Sequence, residues 1–161
     1  MGKENVWDYP RPPALQEASK HLRVVYTLVD GREVVLADSK RAYRVLETSH
    51  PPTYYIPPED VNTALLQKVE GKKSLCEWKG LASYSDVKFE DGMVVKGRIW
   101  SYPIPTNSFK NIAKYYSFYV GPWRCYADGE EVFAQEGDFY GGWKTSDIEG
   151  DMKGRPGTEG W

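Results

Sequence analysis

Arg44, Glu47, His50, Tyr54 and Tyr55 fall within a dozen residues of the stretch RVLETSHPPTYYIPPEDV, positions 44–61. An imidazole near its free pKa is the usual general acid or base, and a carboxylate three residues upstream is placed to orient the ring. A second reading gives the base role to Glu47 itself. In an extended segment Arg44 and Leu46 face one way and Val45 and Glu47 the other, so Glu47 shares a face with an apolar valine, where poorer solvation favours proton acceptance. The structural alternatives are a His50 that only bonds the backbone of a Pro-rich turn, and a Glu47 that pairs with Arg44 or Arg41. Pro51, Pro52, Pro57 and Pro58 fix φ and remove backbone donors, so this segment is stiff and excluded from a helix interior.

A second cluster follows at Cys76, Lys79 and Tyr84. A thiol beside an ammonium is a candidate nucleophile, and a triad would join Cys76 to His50 and Glu47. The alternative for Cys76 is a small buried hydrophobe. Lys79-Gly80 suits an anionic ligand, the ammonium as point charge and the glycine permitting close backbone approach. Tyr54, Trp100 and Tyr102 are candidate pocket walls, with core packing favoured for Trp100. The candidate catalytic residues are therefore His50, Glu47 and Cys76, and the candidate substrate-binding residues Arg44, Tyr54, Lys79, Tyr84, Trp100 and Tyr102. Pro51-Pro52-Thr53-Tyr54 also matches P-P-x-Y, a ligand pattern for domains that read polyproline helices, but it sits inside the densest motif of the chain.

Other chemistries lack their residues. Cys76 and Cys125 form no C-x-x-C, and His21 and His50 are not spaced as a pair, so no structural zinc is expected. Cys125 and His21 are assigned structural or surface roles. There is no Gly-rich phosphate loop after a strand, no Walker lysine and no D-x-D, so no nucleotide cofactor is implied. Net charge is −2 with both signs interspersed, without the basic footprint of a nucleic-acid binder. No apolar run approaches the ~20 residues that span a bilayer. The N-terminus lacks a signal-peptide core, and Gly2 is followed by Val6 where a myristoylation pattern needs Ser or Thr. These readings suit a cytoplasmic protein, monomer or homodimer, with a small-molecule ligand.

The elements that must position these groups are mostly strands. The 161 residues suit one domain with one core. Three Asp-Gly dipeptides, at 30–31, 91–92 and 128–129, each sit between β-branched or aromatic runs and read as hairpins. VDGREVVLA and ADGEEVFAQ are alike enough to suggest an old duplication. A helix is expected over Glu59–Val69, where Pro58 suits the start, Val61, Leu65, Leu66 and Val69 make a stripe, and Gly71 ends it. A second is expected over Phe109–Tyr116, capped by Asn107 or Ser108, although YYSFYV from Tyr115 reads better as a strand. Residues 1–20 read as an irregular arm docked by Trp7 and Tyr9. Residues 137–161, with seven glycines, read as a tail that wraps the surface without regular structure.

The chain resembles the family catalogued as the domain of unknown function numbered 427. The resemblance rests on WDYPRPP at 7–13, the 44–61 stretch, Cys76-Glu77-Trp78-Lys79-Gly80 with Ala82 and Tyr84, and Trp100-Ser101-Tyr102-Pro103. GEEVFAQEGDFYGGW at 129–143 and PGTEGW at 156–161 look like a longer form of the family. The resemblance implies a mainly β fold: a small folded antiparallel sheet, β-tent-like and similar to methionine sulfoxide reductase B, with one or two short helices. It implies no established activity, and a label hinting at nucleotidyl transfer finds no supporting residues here.

Three functions compete. The first is a small enzyme doing acid/base chemistry on a polar or anionic small molecule in an aromatic-lined pocket. The second is a non-catalytic small-molecule-binding domain. The third is a protein-interaction module using the Pro-rich segment or the tail, whose removal would leave the pocket unchanged.

Overall fold

The computed structural model describes residues 3–76 and 78–161. Gly2 of the lipidation pattern and Glu77 of the family segment lie outside the described residues. The chain is mainly β. Its strands are β1 (Glu4–Asn5), β2 (Ala14–Glu17), β3 (Leu22–Thr27), β4 (Glu33–Ser39), β5 (Tyr43–Leu46) and β6 (Thr53–Tyr55). After these come β7 (Leu66–Cys76), β8 (Gly80–Lys88), β9 (Val94–Ser101), β10 (Tyr116–Phe118) and β11 (Arg124–Ala127). The last are β12 (Glu130–Glu131), β13 (Phe133–Ala134), β14 (Trp143–Lys144) and β15 (Ile148–Glu149). They form small sheets in the orders β10-β9-β8-β7, β12-β11-β3-β4 and β2-β5-β6, with the pairs β13-β14 and β1-β15. Among the described residues no helix is long and apolar enough to cross a membrane.

All three Asp-Gly hairpins form: β3 with β4, β8 with β9, and β11 with β12. The third is the tightest. Asp128 and Gly129 both take positive φ, 50° and 80°, the conformation a two-residue turn needs to match strand twist. The first and third hairpins lie side by side, because β11 pairs antiparallel with β3.

Four expectations are corrected. The helix over Glu59–Val69 is replaced by 3₁₀ turns at Pro58–Asp60 and Thr63–Leu65 and by the start of β7. The apolar stripe is real, but Val61 and Leu66 reach the core from extended backbone and Leu65 from a 3₁₀ turn, and from Leu66 onward pairing with β8 satisfies the backbone instead. Gly71 does not end a helix; it lies at φ 76° in the bulge between Lys68 and Lys73. The second helix is a 3₁₀ segment, Asn107–Ile112, which Thr106 precedes without a side-chain cap, and the chain has become β10 by Tyr116. The N-terminal arm is not irregular, since β1 pairs with β15 and β2 with β5; Tyr9 is buried, whereas Trp7 stays half exposed against Trp161. The tail does more than wrap. Its Trp143 has no exposed surface and packs in the main core with Leu22, Leu36, Ile99, Phe118 and Trp123. A second cluster of Val45, Tyr55, Ala82, Trp100, Tyr102, Phe109 and Ile112 forms the floor of the candidate site.

Candidate functional site

Strand parity decides which residues of the 44–61 stretch share a site. In the β5-β6 pair, Val45 stands opposite Thr53 and Tyr43 opposite Tyr55, while Arg44 stands opposite Tyr54 on the other face. Val45, Glu47, Thr53 and Tyr55 line a cavity of about 340 Å³. Arg44, expected to bind an anion, and Tyr54, expected as a pocket wall, do not line it, and both expectations are corrected. The Arg44 guanidinium makes two 2.9 Å bonds to the Glu4 carboxylate and one of 2.7 Å to Gln16. The Tyr9 hydroxyl donates to Glu4 at 2.6 Å, so this cluster ties the N-terminal arm to β5. Tyr54 is buried, 5.2 Å ring to ring from Trp143.

Beyond β5 the chain reverses at Glu47–His50, where the His50 N–H donates to the Glu47 carbonyl at 3.0 Å. Ser49, fully buried at φ 70°, supplies the left-handed residue of this turn. Its N–H donates to the Val6 carbonyl at 3.0 Å, and its own carbonyl accepts from the Lys153 N–H at 2.8 Å. Arm and tail thus clamp the turn from opposite sides. As a result the His50 Nε2 lies 3.6 Å from the Glu47 carboxylate.

The other walls come from distant elements. The β7-β8 hairpin contributes Ser74, Cys76, Lys79, Ala82 and Tyr84, the end of β9 contributes Trp100 and Tyr102, and the tail contributes Phe139, Tyr140 and Lys153. Glu47, His50, Cys76, Lys79, Tyr84, Trp100 and Tyr102 therefore face one cavity. Trp100 serves the core as well, being 6% exposed with its Nε1 donating to the Tyr55 hydroxyl at 3.3 Å.

Lys79 is 8% exposed, and among the described residues no carboxylate comes within ion-pair distance of its ammonium. The Tyr102 and Phe109 rings lie 5.9 and 6.0 Å away. Burial opposes the charge, but Tyr55, Cys76 and, at longer range, Glu47 more than offset it and hold the lysine pKa above its ordinary value. The cavity thus presents a largely buried cation. The Tyr102 phenol is pushed up, chiefly by burial, and remains protonated.

His50 behaves differently. Burial first, then the cations Lys153, Arg11 and Lys79, lower its pKa from 6.5 to about 4, so the ring is neutral at pH 7. Gln135, 2% exposed, places its Nε2 3.0 Å from the His50 Nδ1 and donates to the Lys153 carbonyl at 2.6 Å. Its Oε1 accepts from the Gly142 N–H at 3.2 Å. Turned over, the amide would offer its oxygen to the ring and raise the pKa. The Lys153 carbonyl and the Gly142 N–H fix it the other way, with an N–H toward Nδ1. Nδ1 accepts, so the proton is on Nε2, which lies 3.6 Å from the Glu47 carboxylate.

Among the described residues no hydrogen bond joins either ring nitrogen to the Cys76 thiol. Cys76 interacts with Lys79 and Tyr102, and the Cys76–His50–Glu47 triad is not assembled. Cys125 is a fully buried free thiol, and His21 lies 2.5 Å from Asp38 at the surface. Pro51, Pro52 and Tyr54 of the P-P-x-Y pattern are buried, and the Pro52 carbonyl accepts from the Trp143 N–H, so the pattern is not presented as an accessible polyproline ligand. Gln135, Phe139, Tyr140 and Lys153 escaped the sequence reading. The one available signal was the aromatic density of QEGDFYGGW.

The family model described as a domain of unknown function, DUF427, matches residues 14–130. The chain belongs to this family. No curated protein matches it. The DUF427 match takes in β2 through the start of β12, and with them the turn at Glu47–His50, Cys76, Lys79, Tyr84, Trp100 and Tyr102. Gln135, Phe139, Tyr140 and Lys153 lie past its end.

Proposed function

We propose that the cavity binds a metabolite-sized anion with an apolar or aromatic body, and that Glu47 accepts a proton from it as general base. The observation that carries this is the Lys79 ammonium, nine-tenths buried and without a carboxylate in ion-pair reach among the described residues. A buried charge is retained where a partner compensates it, and an anionic ligand is that partner. The volume of about 340 Å³ is at the small end of the ligand-site range. Val45, Trp100, Tyr119 and Phe139 suit an apolar or planar body, while Lys79 holds the carboxylate or phosphate head. Glu47 is the remaining proton acceptor beside the cavity, since the Nδ1 lone pair of His50 is occupied. The Nε2 of the neutral His50 lies 3.6 Å from the Glu47 carboxylate and is its polar neighbour at the cavity wall. Enolisation, isomerisation or elimination next to the anionic head is the reaction class this arrangement supports.

A second reading, ligand binding without turnover, is favoured by one observation: among the described residues no hydrogen bond joins the Cys76 thiol to the imidazole, so the triad that would activate it is not assembled. Intrinsic tryptophan fluorescence separates the readings, because Trp100 and Trp78 line the cavity. Titration with benzoate and phenyl phosphate should saturate in the wild type and weaken by about 10- to 100-fold in Lys79→Met, the range for losing a charge-assisted contact. Glu47→Gln should keep that affinity. In a screen of carbon acids by solvent deuterium exchange, Glu47→Gln should lose whatever exchange the wild type shows. Equal affinity of Lys79→Met and wild type for both probes would sink the anion site. Binding with no exchange by the wild type would leave the second reading.

A further inference from the structure

We infer that Gln135 is a positioning residue of this site: from a segment beyond the DUF427 match, it sets the tautomer of His50 and so makes the ring a hydrogen-bond donor rather than a base. Four observations converge. Gln135 is 2% exposed, so its amide is committed to protein partners. Both ends of that amide are held by backbone, Oε1 by the Gly142 N–H at 3.2 Å and Nε2 by the Lys153 carbonyl at 2.6 Å, which leaves one N–H for the His50 Nδ1 at 3.0 Å. The fit admits little change: a Cβ on Gly142 would lie 2.7 Å from the Gln135 Oε1 and 2.5 Å from the Pro51 side chain. The Lys153 N–H is bonded to the carbonyl of Ser49, the residue before His50, so imidazole and amide are registered through one backbone segment.

The chemistry follows from the proton inventory. A ring that accepts at Nδ1 must carry its proton at Nε2, the nitrogen that lies 3.6 Å from the Glu47 carboxylate. A neutral ring leaves its polar N–H beside the carboxylate without neutralising it, so Glu47 stays available to accept a proton. The opposite tautomer would place a lone pair against the carboxylate and displace it. The groups facing the ring are Glu47, Gln135, Lys153, Arg11, Lys79 and the Tyr140 edge; the three cations oppose a charged imidazole.

The inference deepens the reading of Glu47 as base, but its test does not depend on turnover. The chain has two histidines, so long-range ¹H–¹⁵N correlation spectra resolve both rings, with His21→Gln giving the assignment. The wild type should show His50 with Nε2 protonated and Nδ1 free at pH 7, and should remain so at pH 5. Gln135→Glu offers Nδ1 an acceptor in place of a donor. It should move the proton to Nδ1 or charge the ring, with a titration midpoint raised above that of the wild type. Gln135→Met removes the donor and should leave a mixture of tautomers. A purely structural Gln135 would change melting temperature and leave tautomer and midpoint where they were; that result, or a wild-type ring protonated at Nδ1, overturns the inference. Altered tautomers in a protein that exchanges no carbon acid would uphold Gln135 while rejecting Glu47 as base.

Discussion

At the residue scale, the two groups that dominate the cavity carry opposite pH signatures. The folded His50 titrates at about 4 and the unfolded ring at 6.5, so between these values the unfolded state binds more protons. Its contribution is fully present above pH 6.5 and is lost as the pH falls to about 4, amounting to about 3 kcal/mol. Urea denaturation at pH 7 and pH 4.5 should therefore show a smaller acid loss for His50→Gln than for the wild type, once the shared carboxylate contribution is subtracted. Identical losses would mean that the ring is not held neutral. Lys79 lies on the other side of neutrality. Its pKa is held above the ordinary lysine value by Tyr55, Cys76 and Glu47 against the opposing effect of burial, so the ammonium is charged at pH 7. Affinity for benzoate should stay level between pH 7 and pH 9, where a lysine lowered by burial would already have released the anion. Glu47 and His50 were legible because titratable groups on a stiff, Pro-flanked segment are visible in one dimension, and Lys79 because an ammonium beside a glycine and near a cysteine is a short, local pattern. Their division of labour was not. It depends on Gln135, which lies 85 residues from His50.

At the scale of elements, what was legible depended on how local the cause was. The Asp-Gly hairpins were read correctly because turn chemistry and flanking β-branched residues act over a few positions. The parity of β5 likewise placed Val45 and Glu47 on one face and Arg44 on the other, although the same parity excluded Arg44 and Tyr54 from the cavity. The helix at Glu59–Val69 failed for a non-local reason. A stripe of Val61, Leu65 and Leu66 fits either period over so short a span, and the long hairpin with β8 decided the outcome. Packing of the tail against the Pro-rich segment is a further non-local cause, and Gly142 exposes it. A methyl group there would meet the Pro51 side chain at 2.5 Å and the Pro51 carbonyl at 2.7 Å. Gly142→Ala should therefore destabilise the protein by about 1–3 kcal/mol, the usual range for overpacking. It should also weaken benzoate binding, since Pro51 and His50 line the cavity. Gly129→Ala lies in open space but at φ 80°, and should lower stability through hairpin strain without touching affinity. A loss of affinity shared equally by both variants would point to global softening instead of a seam at Gly142.

On the scale of the whole molecule, the family match and the physical unit do not have the same boundary. The DUF427 match ends at residue 130, yet Trp143 beyond it is wholly buried among residues before it. Its N–H is bonded to the Pro52 carbonyl at 2.8 Å and its indole Nε1 to the Phe118 carbonyl at 2.9 Å. β15 covers β1, and Ile148 closes a small cluster with Val6, Tyr9 and Leu46. None of this was visible in a glycine-rich stretch without periodicity, because each contact is made with residues far away in sequence. Trp143→Ala should cost about 3–5 kcal/mol, the range for emptying a buried aromatic site. A chain ending at residue 130 loses that indole, the Gln135 amide and the Phe139–Tyr140 wall together. It should lack a cooperative thermal transition and show no saturable benzoate binding. A truncated chain that melted cooperatively but did not bind would make the tail a wall of the site and no part of the core. One that both melted cooperatively and bound would return the site to the matched segment alone. The structure favours loss of both, because the indole that fills the core and the amide that orients His50 lie eight residues apart on one strand-poor segment, and neither can be removed without moving the other.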